Sequence, residues 1–210
     1  QLDDGPVEIW RDALQRALPD ERIAIYPDEV TDPAAIDYAA VWLPPRGMLA
    51  TLPNLTAIFC TGAGVDHLAN DPELPTDVPV VRMVDPWMTA RMTEYVVFAV
   101  LYHHRRMREY IAQQTTKAWQ ELPVPLGRDR RIGILGLGEL GADAARALAD
   151  LRFDVAGWST RRKQVTGVTS YAGDDELDAF LARTDILVAL LPLTHATEGI
   201  LNRDTLGRLP

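Results

Sequence analysis

A chain of 210 residues, 47% of them hydrophobic, can bury a real core as one large domain or two small ones. Its formal charge of -9 argues against a nucleic-acid or anionic-membrane partner, because phosphate binding asks for a basic face. The single cysteine, Cys60, allows no disulfide framework and no cysteine-rich zinc site, so no metal is expected and a reducing cytoplasm is the default setting.

Residues 7–18 carry Ile9, Trp10, Ala13, Leu14, Ala17 and Leu18 on one helical face, and Pro19 ends the pattern. Strands are expected over 22–26, 38–43, 55–60 and 78–84. They are punctuated by Pro27, by Pro44-Pro45 and by the turn Thr61-Gly62-Ala63-Gly64-Val65-Asp66-His67. Cys60 closes an apolar run and reads as a small buried hydrophobe. Strands alternating with helical or mixed linkers point to a parallel α/β unit. Residues 1–6 are too short and too polar to supply the strand that should feed the first helix, so a slight truncation at the N-terminus is expected. No apolar run approaches the about 18 residues of a membrane span.

Residues 86–114 read as one long helix, with Met88, Met92, Tyr95, Val96, Ala99, Val100, His103 and Met107 at helical spacing. This stripe suits a core or a subunit interface, and a homodimer built on the helix is expected. Leu122-Pro123-Val124-Pro125-Leu126-Gly127 then breaks the pattern as a linker. The expected organisation is therefore 1–85, a connecting helix over 86–121, and a second domain over 122–210.

The stretch Arg131 to Gly141 organises the second domain. Ile132, Ile134 and Leu135 form the apolar run of a strand covered on both faces. Gly136-x-Gly138-x-x-Gly141 follows at once and leads into a helix. The first glycine allows the tight turn, the second lets backbone approach a pyrophosphate, and the third lets helix pack on strand. The N–H groups at the start of that helix, including those of Glu139 and Leu140, face the phosphates. The strand before and the helix after supply the context that the motif requires. A strand over 153–158, a helix over 174–183 capped by Asp174, a strand over 185–191, a loop over 192–197 and a helix from Asn202 complete the reading. These are the units of only the first half of a dinucleotide fold, so a chain truncated mainly after Pro210 is expected.

The second strand of such a fold usually ends near an acidic residue that binds the ribose 2′-OH. Here it ends at Trp158 and runs into Ser159-Thr160-Arg161-Arg162-Lys163. A carboxylate repels a 2′-phosphate, whereas a hydroxyl with guanidinium groups binds it. Two charge-assisted bonds of about 1.5–3 kcal/mol each give on the order of 100-fold preference for NADP(H) over NAD(H).

The ordered set of these motifs resembles the D-isomer-specific 2-hydroxyacid dehydrogenases. The matching pieces are Val41-Trp42-Leu43-Pro44-Pro45, Gly62 to Asp66, Asp85-Pro86 with Glu94-Tyr95, and Trp119-Gln120. They continue through Gly133 to Gly141, Trp158-Ser159 with Arg162-Lys163, and Leu191-Pro192-Leu193-Thr194. The resemblance implies a flavodoxin-like substrate domain, the first half of a Rossmann coenzyme domain, and an active site in the cleft between them. It implies substrate binding by the backbone of Ala63 and Gly64, with Trp42 lining the site. Cofactor binding would fall to Gly136, Gly138, Glu139, Leu140 and Gly141, to Ser159, Arg161, Arg162 and Lys163, and to Leu191, Pro192 and Thr197. The implied reaction is NADPH-dependent reduction of a small 2-oxo acid, of the glyoxylate or hydroxypyruvate type, to the 2-hydroxy acid. The family's catalytic arginine, glutamate and histidine have no match here and are expected beyond Pro210; His67, His103, His104 and His195 stand in other contexts. A dinucleotide-sensing module without catalysis and an NAD-dependent dehydrogenase of larger hydroxy acids are the alternatives.

Overall fold

The computed structural model describes residues 7–210, so the reading of residues 1–6 lies outside the described residues. The chain forms two compact units. One holds the residues up to Gly62 together with His67–Arg82, and the other holds Ala63–Asp66 with Met83–Pro210. Among the described residues no helix is long and apolar enough to cross a membrane.

The first unit carries a three-stranded parallel sheet, β1 (Tyr38–Val41), β2 (Ala57–Cys60) and β3 (Val80–Arg82), in the order β1-β2-β3. Ile58, Cys60, Val41, Leu49 and Leu68 are buried around it. The helix α1 (Val7–Ala17) forms as its spacing predicts, but it buries none of its residues, and Ile9 and Trp10 stay exposed. The strand expected over 22–26 does not form. The chain turns back on it instead: Glu29 donates its N–H to the Ile25 carbonyl, and its carboxylate accepts the Ile25 N–H at 2.9 Å. Those bonds consume both ladder groups of Ile25, in the second half of the expected strand. The β1 strand is shorter than expected because Leu43 takes a positive φ of 47° and leaves the sheet direction. A four-residue helix, α2 (Asp66–Ala69), follows the turn after β2.

The second unit begins with α3 (Pro86–His104), capped by the Asp85 carboxylate on the N–H groups of Trp87 and Met88. The single long helix expected here is two. Arg106 adopts a left-handed φ of 56°, and α4 (Met107–Thr115) starts after it. The Arg105 N–H closes on Leu101 and the Arg106 N–H on His103, so the last turn of α3 is satisfied before the break. The expected apolar stripe divides. Met92, Val96 and Val100 pack into this unit's own core with Ala144, Ala145 and Leu148, while Tyr95 and Phe98 stay exposed.

The sheet of this unit is β4 (Arg131–Leu135), β5 (Asp154–Ser159), β6 (Thr169–Ala172) and β7 (Ile186–Ala189), all parallel, in the order β6-β5-β4-β7. This is the 3-2-1-4 order of the first half of a doubly wound nucleotide-binding sheet, with its switch point between β4 and β7. The helix α5 (Glu139–Asp150) returns from β4 and α6 (Asp174–Ala182) from β6, and the short α7 (Arg203–Leu206) follows with an Asn202 cap. Ala144 and Leu148 of α5 are buried against Ile132, Ile134 and Val155, while Phe180 and Leu181 of α6 pack with Leu135, Ala156 and Trp158. Two details depart from expectation. The β6 strand is additional to the elements that the sequence pattern predicts, and the cap of α6 is Gly173 at φ 70°, with Asp174 the first helical residue instead of the cap.

Candidate functional site

The site is built where β4 and β7 end side by side. The Leu190 N–H donates to the Leu135 carbonyl at 2.8 Å, and the Gly136 N–H donates to the Trp158 carbonyl at 2.8 Å. Each bond extends a parallel ladder by one step, so the turn after β4 is clamped by both neighbours. Gly136 has φ 101°, and a Cβ there would lie 2.8 Å from the Leu190 carbonyl oxygen. No L side chain fits this turn. At Gly141 a Cβ would collide with the Gly136 carbonyl, so α5 can start this close to the turn only without one. Gly138 differs. It is the N-cap of α5 at φ -73°, and a Cβ there would meet nothing within 4 Å. The fold does not require glycine at 138. The open space above it lies at the start of a helix whose first residues, Glu139 and Leu140, carry N–H groups without intrahelical partners.

The segment after β7 forms the opposite side of this turn. Leu191 packs against the cluster of Leu135, Trp158 and Phe180. Pro192 and Thr197 are joined: the Thr197 hydroxyl donates to the Pro192 carbonyl at 2.5 Å and accepts the Thr194 N–H at 2.9 Å. Thr197 is buried and shapes the loop from within.

The basic loop after β5 is ordered by its neighbours. Trp158 donates its indole N–H to the Gly173 carbonyl at 2.8 Å, and the Gly173 N–H donates to the Ser159 carbonyl. The Ser159 hydroxyl is buried and donates to the Arg161 carbonyl at 2.6 Å. Arg162 gives one terminal nitrogen to the Ser170 carbonyl at 2.6 Å and the other to the Glu176 carboxylate at 2.5 Å. The other Glu176 oxygen accepts the Ala172 N–H at 2.8 Å. That N–H, then Arg162, hold the Glu176 carboxyl below its ordinary range. Arg161 and Lys163 are exposed and pair with no carboxylate among the described residues. Glu176 and Gly173 were not singled out in the sequence. The signal available was an acidic first turn of α6, which alone looks like ordinary helix capping.

The residues expected at the substrate lie apart from this turn in sequence. Trp42 is half-exposed, and its ring occupies the space that a Cβ on Gly62 would need. It meets His67 edge to face at 4.9 Å, and His67 Nε2 lies 3.7 Å from the Cys60 sulfur. In the loop Ala63 to Asp66, the Asp66 carboxylate lies 2.9 Å from where a Gly64 Cβ would stand. A bound carboxylate would have to share that loop with Asp66. His104 is buried with Phe153 edge-on at 5.0 Å, and burial, then Arg130 and Arg105, push its imidazole down.

Residues 97–210 match the model of the D-isomer specific 2-hydroxyacid dehydrogenase NAD binding domain. A glyoxylate/hydroxypyruvate reductase A from Yersinia enterocolitica is 45% identical over 206 residues, which is 95% of this chain and 65% of that protein. Among solved structures, a D-isomer specific 2-hydroxyacid dehydrogenase from Xanthobacter autotrophicus Py2 in complex with NADPH and MES superposes with a TM-score of 0.91 at 41% identity. The match covers 100% of this chain and 68% of that one. An NADPH-dependent glyoxylate/hydroxypyruvate reductase from Sinorhizobium meliloti, in complex with NADP and sulfate, gives 0.89 at 41% identity, over 98% and 66%. The chain thus spans just under two thirds of the length of the curated relative it matches.

Proposed function

The chain belongs to the D-isomer specific 2-hydroxyacid dehydrogenase family, and on that premise we propose that the whole protein reduces a small 2-oxo acid to its 2-hydroxy acid with NADPH. The observation that carries this reading is the turn from β4 to α5. It sits at the switch point of the sheet, it requires glycine at 136 and 141, and it leaves the space over Gly138 open. The residues fit a pyrophosphate: the N–H groups of Glu139 and Leu140 and the dipole of a 12-residue helix face it. When bound, the dinucleotide supplies the hydride. The protein's part is placement. The turn fixes the pyrophosphate, Leu191 and Pro192 flank the nicotinamide side, and Thr197 keeps that loop closed. Arg161, Arg162 and Lys163 answer the 2′-phosphate, and the Ser159 hydroxyl, donating to the Arg161 carbonyl, shapes the loop that carries them. The backbone of Ala63 and Gly64 holds the substrate carboxylate. Relatives bound to NADPH or NADP with this fold support the same choice of cofactor, and the naming of the Yersinia and Sinorhizobium relatives as glyoxylate/hydroxypyruvate reductases supports the substrate class. Exposed Trp87, Tyr95 and Phe98 on α3 support a homodimer through that helix, and the buried lone cysteine suits a cytoplasmic setting.

The test is oxidation of NADPH and of NADH by the intact protein with glyoxylate and with hydroxypyruvate. On the order of 100-fold preference for NADPH is expected, and Ser159→Asp with Arg162→Ala should swing it toward NADH. Equal use of both cofactors, or a ratio unmoved by the double change, would overturn the cofactor reading. Turnover of neither acid would overturn the substrate reading.

A further inference from the structure

We propose that Glu176 is a positioning residue for the cofactor's 2′-phosphate, holding the Arg162 guanidinium in a fixed place beside the end of β5. The inference rests on the NADPH reading above and adds a residue to it. Glu176 stands in the first turn of α6, 14 positions from Arg162, and reaches both the loop and β6. One carboxylate oxygen takes the Ala172 N–H and the other takes Arg162. Arg162 spends its second terminal nitrogen on the Ser170 carbonyl. A guanidinium has five N–H groups, so two are used and three remain for a phosphate. The phosphate therefore does not need to displace Glu176.

A glutamate that only caps α6 would need one oxygen, for the Ala172 N–H. The second oxygen and the Ser170 carbonyl do something else: they take the freedom out of an otherwise exposed arginine. Ordering a rotamer-rich side chain on binding weakens affinity by about 2- to 10-fold, and a side chain already held avoids that loss. Among the described residues Arg161 and Lys163 have no such tether, so Arg162 is the member of the basic loop whose geometry is set before the ligand arrives.

The experiment is binding of 2′,5′-ADP and of 5′-ADP, and of NADPH and NADH, to the intact protein by titration calorimetry or fluorescence. Glu176→Ala is expected to weaken 2′,5′-ADP and NADPH by about 3- to 10-fold while leaving 5′-ADP and NADH unchanged. In an Arg162→Ala background the same change should have no further effect, and Glu176→Gln, which keeps one acceptor, should recover part of the loss. Tighter binding of 2′,5′-ADP by Glu176→Ala would show that the carboxylate competes with the phosphate and would overturn the proposal. Equal weakening of both nucleotides, or an undiminished effect without Arg162, would reduce Glu176 to a capping residue. If the unaltered protein does not prefer 2′,5′-ADP over 5′-ADP, the NADPH reading fails and this inference fails with it. If it does prefer it and Glu176→Ala leaves the size of that preference unchanged, only the role of Glu176 is refuted.

Discussion

Gly138→Ala separates what the fold needs from what the ligand needs. Gly138 sits at φ -73°, a conformation open to alanine, and its Cβ would meet no atom within 4 Å. The change narrows the unfolded ensemble, which stabilises by about 0.4–1 kcal/mol. It also puts alanine at an N-cap, which costs about 0.5–1 kcal/mol relative to glycine. The two offset, and the melting temperature should move by no more than about 4 °C. Binding behaves differently. On the proposed function, the added methyl group stands where phosphate oxygens come within hydrogen-bond distance of the first N–H groups of α5. Loss of one charge-assisted bond there is about 1.5–3 kcal/mol, a fall of roughly 10- to 100-fold in NADPH affinity. NADH should fall by the same factor, because both cofactors share the pyrophosphate. Thermal melting and fluorescence titration on the same sample read both quantities. A variant that melts normally and still binds NADPH at full strength would refute the placement of the pyrophosphate over Gly138. A variant that unfolds would refute the claim that the fold does not use this glycine.

Two other perturbations address the frame around the turn. Asp185 accepts the Arg131 backbone N–H at 2.9 Å and its guanidinium at 2.6 Å, and the guanidinium, foremost, depresses the Asp185 carboxyl. Its folded value lies below its unfolded one, so its contribution is present above the unfolded value and is lost as pH falls through the folded one. Asp185→Asn should therefore flatten the acid side of the stability curve measured by denaturant titration, and an unchanged acid limb would refute the linkage. Thr197→Val removes both the donor to Pro192 and the acceptor for Thr194. It should speed hydrogen exchange at Thr194 and weaken NADPH a few-fold with a small change in melting, and unaltered exchange there would show that the loop is held by other means.

Local patterns gave the parts of the fold that are local. The passage from β4 through the glycine turn into α5 is written in consecutive residues: an apolar run, three spaced glycines and a helical stripe. What depended on distant partners did not show. Residues 22–26 have the composition of a strand, but both backbone groups of Ile25 are taken by Glu29. The break between α3 and α4 carries no glycine or proline, so nothing in the spacing announces that Arg106 turns left-handed. The stripe on α3 was visible as apolar, yet only packing decides that Val96 goes inward and Tyr95 outward.

The largest omission in the fold and the largest in the site are the same omission. Thr169–Ala172 is polar, half-buried and short, and it is a strand only because β5 pairs with it. That pairing sets Ala172 opposite Ser159, so the residues that follow Ala172 lie beside the basic loop. Gly173 turns the chain at φ 70°, and Glu176 arrives one helical turn later with a carboxylate on Arg162. Without β6, residues 159–163 read as a free cluster of two hydroxyls and three cations. With β6, the Ser159 hydroxyl proton is committed to the Arg161 carbonyl and one cation is shared with a carboxylate. On the proposed function, selection of a 2′-phosphate then rests on two exposed cations and a third held in a fixed place. Such a site discriminates by geometry as well as by charge, which is why its selectivity should respond to Glu176 and not only to the residues that touch the phosphate.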